Sequence, residues 1–257
     1  MLARLVVSTV RAQLQMTRRN IEDLLPIASI PLSTIITLAI LVSSGRGDLA
    51  SYALVAVVLM TVAQMGLFVG SELIAQDRHT QMLELFVASP APYFVLLGTR
   101  VFVLSAIGLL GFLEGWLIAW GLFGIRIIIY HPFVLGVTLV LATFASAATA
   151  LIVVALASFG RTTRTVQNAI GGPLFLLGGV LVPVTYLPEF LQPISRGIFL
   201  YWSADLLRDA LQPSAPLHVM VRLLAIASLG GISGGIGFVL VSRMLAHLRR
   251  EGTLGLA

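Results

Sequence analysis

The sequence predicts an all-α integral membrane protein, and three observations carry that reading. Of 257 residues, 58% are hydrophobic and only 11% are charged, with a mean hydropathy of +1.01. A soluble fold of that composition could not cover its surface with polar groups. The apolar residues gather into six stretches, at about residues 24–42, 50–69, 94–123, 133–159, 169–182 and 218–244. A hydrocarbon layer about 30 Å thick takes about 20 helical residues to cross, so each stretch is a candidate transmembrane helix. The basic residues, finally, fall unevenly between the stretches. Arg4, Arg11, Arg18, Arg19, Arg78, Arg161, Arg164, Arg243, Arg249 and Arg250 lie on one side, Arg46, Arg126, Arg196 and Arg208 on the other, and Arg100 and Arg222 within or near span ends. The positive-inside bias places both termini in the cytoplasm. The basic pI near 10.4 therefore reads as topology, with no nucleic-acid partner.

All sixteen basic side chains are arginine, and there is no lysine and no cysteine. Lacking lysine, the chain has no P-loop, no Schiff base and no lysine general base. Without cysteine it has no disulfide, thiolate nucleophile or thiolate metal site. The arginine-only usage is compatible with a GC-rich bacterial genome, which makes a bacterial inner membrane the expected location.

Residues 1–23 lack the apolar core and cleavage site of a signal peptide. Arg4, Arg11 and Arg18 recur every seven residues, with Leu5, Val6, Val10 and Leu14 between them at helical spacing. This predicts an amphipathic helix lying along the inner leaflet among membrane lipids; the other reading is a cytoplasmic extension of the first span. Pro26 and Pro31 are expected to bend that span, since each removes a backbone donor.

Between spans two and three the chain reads SELIAQDRHTQMLELFVASPAP, from Ser71 to Pro92. Glu72, Asp77, Arg78, His79 and Glu84 surround an amphipathic stretch in which Leu73, Leu83, Leu85 and Phe86 can face inward, and Pro90 and Pro92 stop it. Such a segment suits docking in a groove on a partner protein, or is a solvated loop with ordinary charges. Glu114 lies in the middle of span three, twelve residues from Arg126 and fourteen from Arg100, about 20 Å along a helix and too far to pair. A carboxylate in lipid costs on the order of 3 kcal/mol. It either recognises a cation in a substrate path or bonds to a polar group on a neighbouring span. Trp116 and Trp120 share one face and are expected to pack between helices or sit at the interface. The four histidines are scattered, with no spacing that would hold a metal.

From Gly171 to Leu211 the chain reads GGPLFLLGGVLVPVTYLPEFLQPISRGIFLYWSADLLRDAL. Span five is barely long enough to cross, and proline-punctuated amphipathic segments follow it. Two readings stand: an external loop, or a helix that stops part-way with re-entrant or surface helices closing the outer end.

The first of these segments resembles the cytoplasmic coupling region of type-2 ABC exporter permeases. Glu72 stands for the leading acid, Asp77 and Arg78 for the charged pair, Leu83 and Glu84 for the L-E step, and Ser89 and Pro90 for the S-P step. Gln81 and Met82 replace the family's Gly-Thr. The second segment resembles the family's glycine-rich span, proline, short loop and D-x-x-R helix, with Gly178, Gly179, Pro183, Leu187, Pro188, Leu191, Gln192, Asp205, Leu206 and Arg208 at matching positions.

The resemblance implies a permease of an ABC exporter, with an interfacial helix at 1–23 and one six-span domain at 24–257. Within that domain it implies a coupling segment at 72–93 and an extracellular or re-entrant segment at 183–216. It implies a dimeric pathway shared with a second or homologous permease copy. A separate ABC ATPase subunit would hold the ATP and magnesium; the chain itself has no catalytic, cofactor or metal site. The mainly apolar span faces lean towards a hydrophobic or amphiphilic cargo, such as a drug, antibiotic or lipid. Drug efflux and antibiotic resistance fit that cargo. An ion- or proton-coupled secondary transporter would show paired repeats and several intramembrane polar groups. A lipid-modifying enzyme would show clustered aspartates, whereas the eleven acids are dispersed.

Overall fold

A computed structural model describes residues 2–19, 21–45, 49–80, 82, 93–159 and 163–251. The described residues are helical with short connections. They form α1 (Leu2–Arg19), α2 (Ile21–Ser43), α3 (Ala50–Gln64), a π-helical turn (Met65–Val69) and α4 (Gly70–His79). After these come α5 (Tyr93–Ile107), α6 (Leu110–Gly121), α7 (Pro132–Phe159), α8 (Thr163–Leu177), α9 (Gln192–Ser195), α10 (Phe199–Ala210) and α11 (Val219–Glu251).

Among the described residues four stretches are long and apolar enough to cross a membrane: Ala50–Asp77, Tyr93–Gly121, Pro132–Leu156 and Val219–Ala246, with Pro31–Ser43 as a shorter apolar helix. Close contacts fix their directions. Gly66 and Gly70 of the second pass meet Ser105 and Val101 of α5, while Gly111 and Gly115 of α6 meet Thr61 and Leu54 of α3. The two passes therefore run antiparallel. Leu38 of α2 packs with Ala50, Ala53 and Ala119, so α2 lies against both α3 and α6. In contrast, Gly230, Gly234 and Gly237 of α11 rise past Ala145, Ala148 and Leu151 of α7, which makes those two helices parallel. Small residues on the seam let the backbones approach closely, which supplies packing where lipid gives no hydrophobic drive.

The core runs through Leu59, Met65, Leu97, Leu104, Val154 and Leu200, all 1% exposed or less. The outside is apolar as well: Leu113, Leu117, Phe133, Leu224 and Ile232 are each more than half exposed. In water that surface would drive aggregation; against acyl chains it costs little. The chain is an all-α membrane protein.

Three boundaries differ from the sequence reading. The second span continues through the π-helical turn into α4, so Glu72 and Asp77 ride on the same rod as the membrane pass. The third span is two helices broken at Gly108 and Leu109. A Cβ on Gly108 would lie 2.6 Å from the Val62 Cα and 2.9 Å from the Thr61 carbonyl; the backbones touch there and leave no room for a side chain. The fifth span, α8, ends at Leu177, short of the expected residue 182.

Candidate functional site

The described part of the first sequence-predicted segment, α4, and the second segment lie at opposite ends of the helix bundle. At the end holding α1, α4 presents two carboxylates differently. Glu72 is exposed, and its neighbours Leu73 and Ile74 are buried at 1% and 2%. Asp77 is turned inward, 4% exposed, and the Arg100 guanidinium donates to both of its carboxylate oxygens at 2.8 and 2.7 Å. Arg100 Nε donates to Gln13 Oε1 of α1 at 2.8 Å, and Gln13 Nε2 reaches Thr17 at 3.2 Å. The buried clasp thus ties α1, α4 and α5 together. Any part Asp77 has in coupling runs through Arg100, since its charge does not reach the surface. The side chain of Arg78, and residues Leu83, Glu84, Ser89 and Pro90, lie outside the described residues.

At the opposite end, α8 terminates in a Schellman turn: Val180 N–H donates to the Phe175 carbonyl at 3.1 Å, and Gly179 N–H to Leu176 at 3.1 Å. The turn requires glycine at Gly179, whose φ is +66°, the left-handed region that side chains avoid. A Cβ on Gly178 would meet the Leu174 carbonyl at 2.6 Å and the Leu200 Cβ at 2.7 Å. Gly178 is therefore a steric requirement of the α8 end against α10, and Gly179 one of the turn itself, where a Cβ would meet Val184 Cγ2 at 2.8 Å. Pro183 starts a single 3₁₀ turn at Val184–Tyr186. Leu187 accepts from Gln192 at 3.1 Å, and Leu191 N–H donates to Pro188 at 2.9 Å, which brings the chain into α9 and α10. Helix α10 buries Phe199, Leu200, Ser203, Ala204, Leu206, Leu207 and Ala210 and packs on α3, α7 and α11. It is built into the bundle.

Asp205 and Arg208 act from that helix. Arg208 Nη2 donates to the Gly179 and Val180 carbonyls at 2.6 and 3.2 Å, so a cation caps the carbonyl end of α8, where the helix dipole favours it. The same guanidinium lies 5.2 Å from the centroid of the Tyr52 ring on α3. Arg222 at the start of α11 bonds Asp209 at 2.5 Å and reaches Asp205 at 3.4 Å. Burial pushes the Asp205 carboxyl above its usual range, opposed by Arg222 and reinforced by the like charge of Asp209.

Between α2, α3 and the segment at Val180–Pro183 lies a groove of about 860 Å³, with Arg208 at one end. Its wall is mainly apolar, with Ser33, Thr37, Tyr52, Thr61, Gln64 and Tyr186 as the uncharged polar members. Pro183 and Arg208 also border a smaller cavity of about 220 Å³ that holds Gln192, Arg196 and Asp205. Glu114 is not among the groove residues. Its Oε2 is buried without a hydrogen-bond partner, as is Thr34 Oγ1 on α2. Trp116 and Trp120 stack at 6.4 Å and are 37% and 55% exposed, an aromatic belt position. Among the described residues no group of histidines and acids could hold a metal ion.

Sequence reasoning missed Arg100, Gln13 and Tyr52. Arg100 carried a signal, a lone cation in an apolar run, but its partners are 23 and 87 residues away.

The fold and these two ends define a membrane protein whose helices link a charged arm at one face to a groove beneath the other. Residues 4–211 match the family description "ABC-2 type transporter". The chain belongs to that family, and it is the membrane permease component of an ABC-type transporter. Permeases of this family normally pair with an ABC ATPase subunit. No curated protein matches the chain.

Proposed function

We propose that the chain is the permease of an ATP-driven exporter, pairing as a dimer around the groove and moving a hydrophobic or amphiphilic substrate, a drug, antibiotic or lipid, outward. The α1 end is then cytoplasmic and the α10 end external, in a bacterial inner membrane. One observation carries this reading. The span Ala50–Asp77 has 28 residues, about 42 Å at 1.5 Å per residue, against about 30 Å of hydrocarbon. The same rod lines the groove from Tyr52 to Gln64 and emerges with the exposed Glu72 on α4. An ATPase subunit docked on the segment at 72–93 would push on one end of a helix whose other end is the groove wall, and the π-helical turn between them is a natural hinge. ATP and magnesium act on that partner, and this chain supplies the path.

Copurification tests it. A tagged chain in mild detergent is expected to retain an ATPase subunit whose hydrolysis changes with candidate substrates. A tagged chain that comes out alone, and leaves hydrolysis by a candidate ATPase unaltered, would end the exporter reading.

A further inference from the structure

The groove carries more chemical information than its apolar wall. Among its described lining residues Arg208 is the one ionised side chain and none is a carboxylate. The hydroxyl protons of Thr37 and Thr61 are committed to Ser33 and Val57 of their own helices, at 2.8 and 2.6 Å. Arg208 spends Nη2 on the α8 carbonyls, but its Nε is buried with no acceptor. A buried donor left without an acceptor is costly, and a charged one more so. Beyond Arg208 and Pro183, the smaller cavity adds Arg196, and its single acid, Asp205, lies 3.4 Å from Arg222. From groove to outer cavity the route passes from an apolar wall to two arginines, Arg208 and Arg196, with Asp205 close enough to act on Arg208 from the far side.

We infer that the groove accepts an amphiphile with an anionic oxygen headgroup, a carboxylate, phosphate or sulfate. Its apolar body lies along α2 and α3, and its head lies at Arg208, facing Arg196 beyond. This rests on reading the chain as an export permease, and it names the substrate class. A cationic amphiphile of the same length meets a like charge at the head position and gives the Nε donor nothing.

The test uses the purified chain in phosphatidylcholine nanodiscs without ATP. Dodecyl phosphate and dodecyltrimethylammonium are titrated while the unfolding midpoint is followed, because a ligand of the folded state raises it. Dodecyl phosphate is expected to bind about tenfold or more tightly than the cation, the scale of one charge-assisted hydrogen bond. Arg208→Gln should abolish the preference. Since Arg208 also caps α8, Thr37→Glu serves as the second variant: it places an acid in the groove, leaves the cap in place, and should also remove the preference. Adding phosphatidylglycerol separates the sources. Competition with dodecyl phosphate identifies a lipid headgroup as occupant, and absence of competition a soluble amphiphile; either supports the shared chemistry. Equal stabilisation by both probes, or a preference untouched by both variants, overturns it. Anion selectivity in a chain that affects no ATPase would sink the exporter reading alone. ATPase coupling without anion selectivity would sink this inference alone.

Discussion

Replacing Asp77 by Ala should unsettle the whole α1 end of the molecule. Asp77 and Arg100 have side chains 6% and 8% exposed, and the pair is joined through two short bonds with Gln13 on the third side. Removing the carboxylate takes away the counter-charge that the buried guanidinium pairs with. Breaking a buried pair from one side costs about 3–5 kcal/mol. Replacing both members by apolar residues of similar volume, Asp77→Leu with Arg100→Met, should recover part of that loss, short of the bond that buried Gln13 gives up. For a chain of this size the single variant should lower the unfolding midpoint by on the order of 10 °C, read from tryptophan fluorescence in nanodiscs. The natural chain has no cysteine, so a nitroxide at Gln15→Cys on the exposed face of α1 reports that helix alone. Its spectrum should sharpen in Asp77→Ala as α1 loosens. An unchanged midpoint, an unchanged spectrum, or a double variant as unstable as the two singles combined would refute the clasp.

The remaining predictions address the other parts of the machine. Glu84→Arg should uncouple hydrolysis from transport while membrane insertion stays normal; paired ATPase and vesicle transport assays decide, and normal transport would remove Glu84 from the coupling path. Gly179→Ala should cost about 1–2 kcal/mol from the left-handed backbone alone, and Gly178→Leu about 1–3 kcal/mol from overpacking against Leu200, both measured as midpoint shifts. Glu114→Gln should leave export intact, because Glu114 does not line the groove; a lost or altered substrate range would restore it as a recognition residue.

The membrane architecture was legible in the sequence because lipid enforces a simple code. Each pass must be a long apolar helix, so the four full-length spans stand out by composition alone. Gly178, Gly179, Asp205 and Arg208 stand out by family pattern; the structure places the two glycines and Arg208 in the Schellman turn and its cationic cap, and Asp205 beside Arg222. Other features depend on what meets across the bundle. Nothing near Gly108 announces a break in span three; the reason lies in the Val62 backbone, 46 positions earlier. The continuity of α3 into α4 was hidden because charges at Glu72 and Asp77 read as the end of a span. Yet Asp77 has its counter-charge on another helix. Along its own helix Arg100 has no acid within reach, and only the fold brings Asp77 and Gln13 to it.

The glycine seam of α11 bears on how the molecule is assembled. Helix α11 is made after α7 and α10, and it lies beyond the family match at residues 4–211. Until it arrives, Ala145, Ala148 and Leu151 of α7 face acyl chains, which solvate them almost as well as Gly230, Gly234 and Gly237 will. A half-made bundle can therefore wait in the bilayer without the aggregation that a soluble intermediate with a bare core would suffer. What distinguishes the bundled position of α11 from a lipid-exposed one is then its ion pair, Arg222 with Asp205 and Asp209, which acyl chains cannot replace.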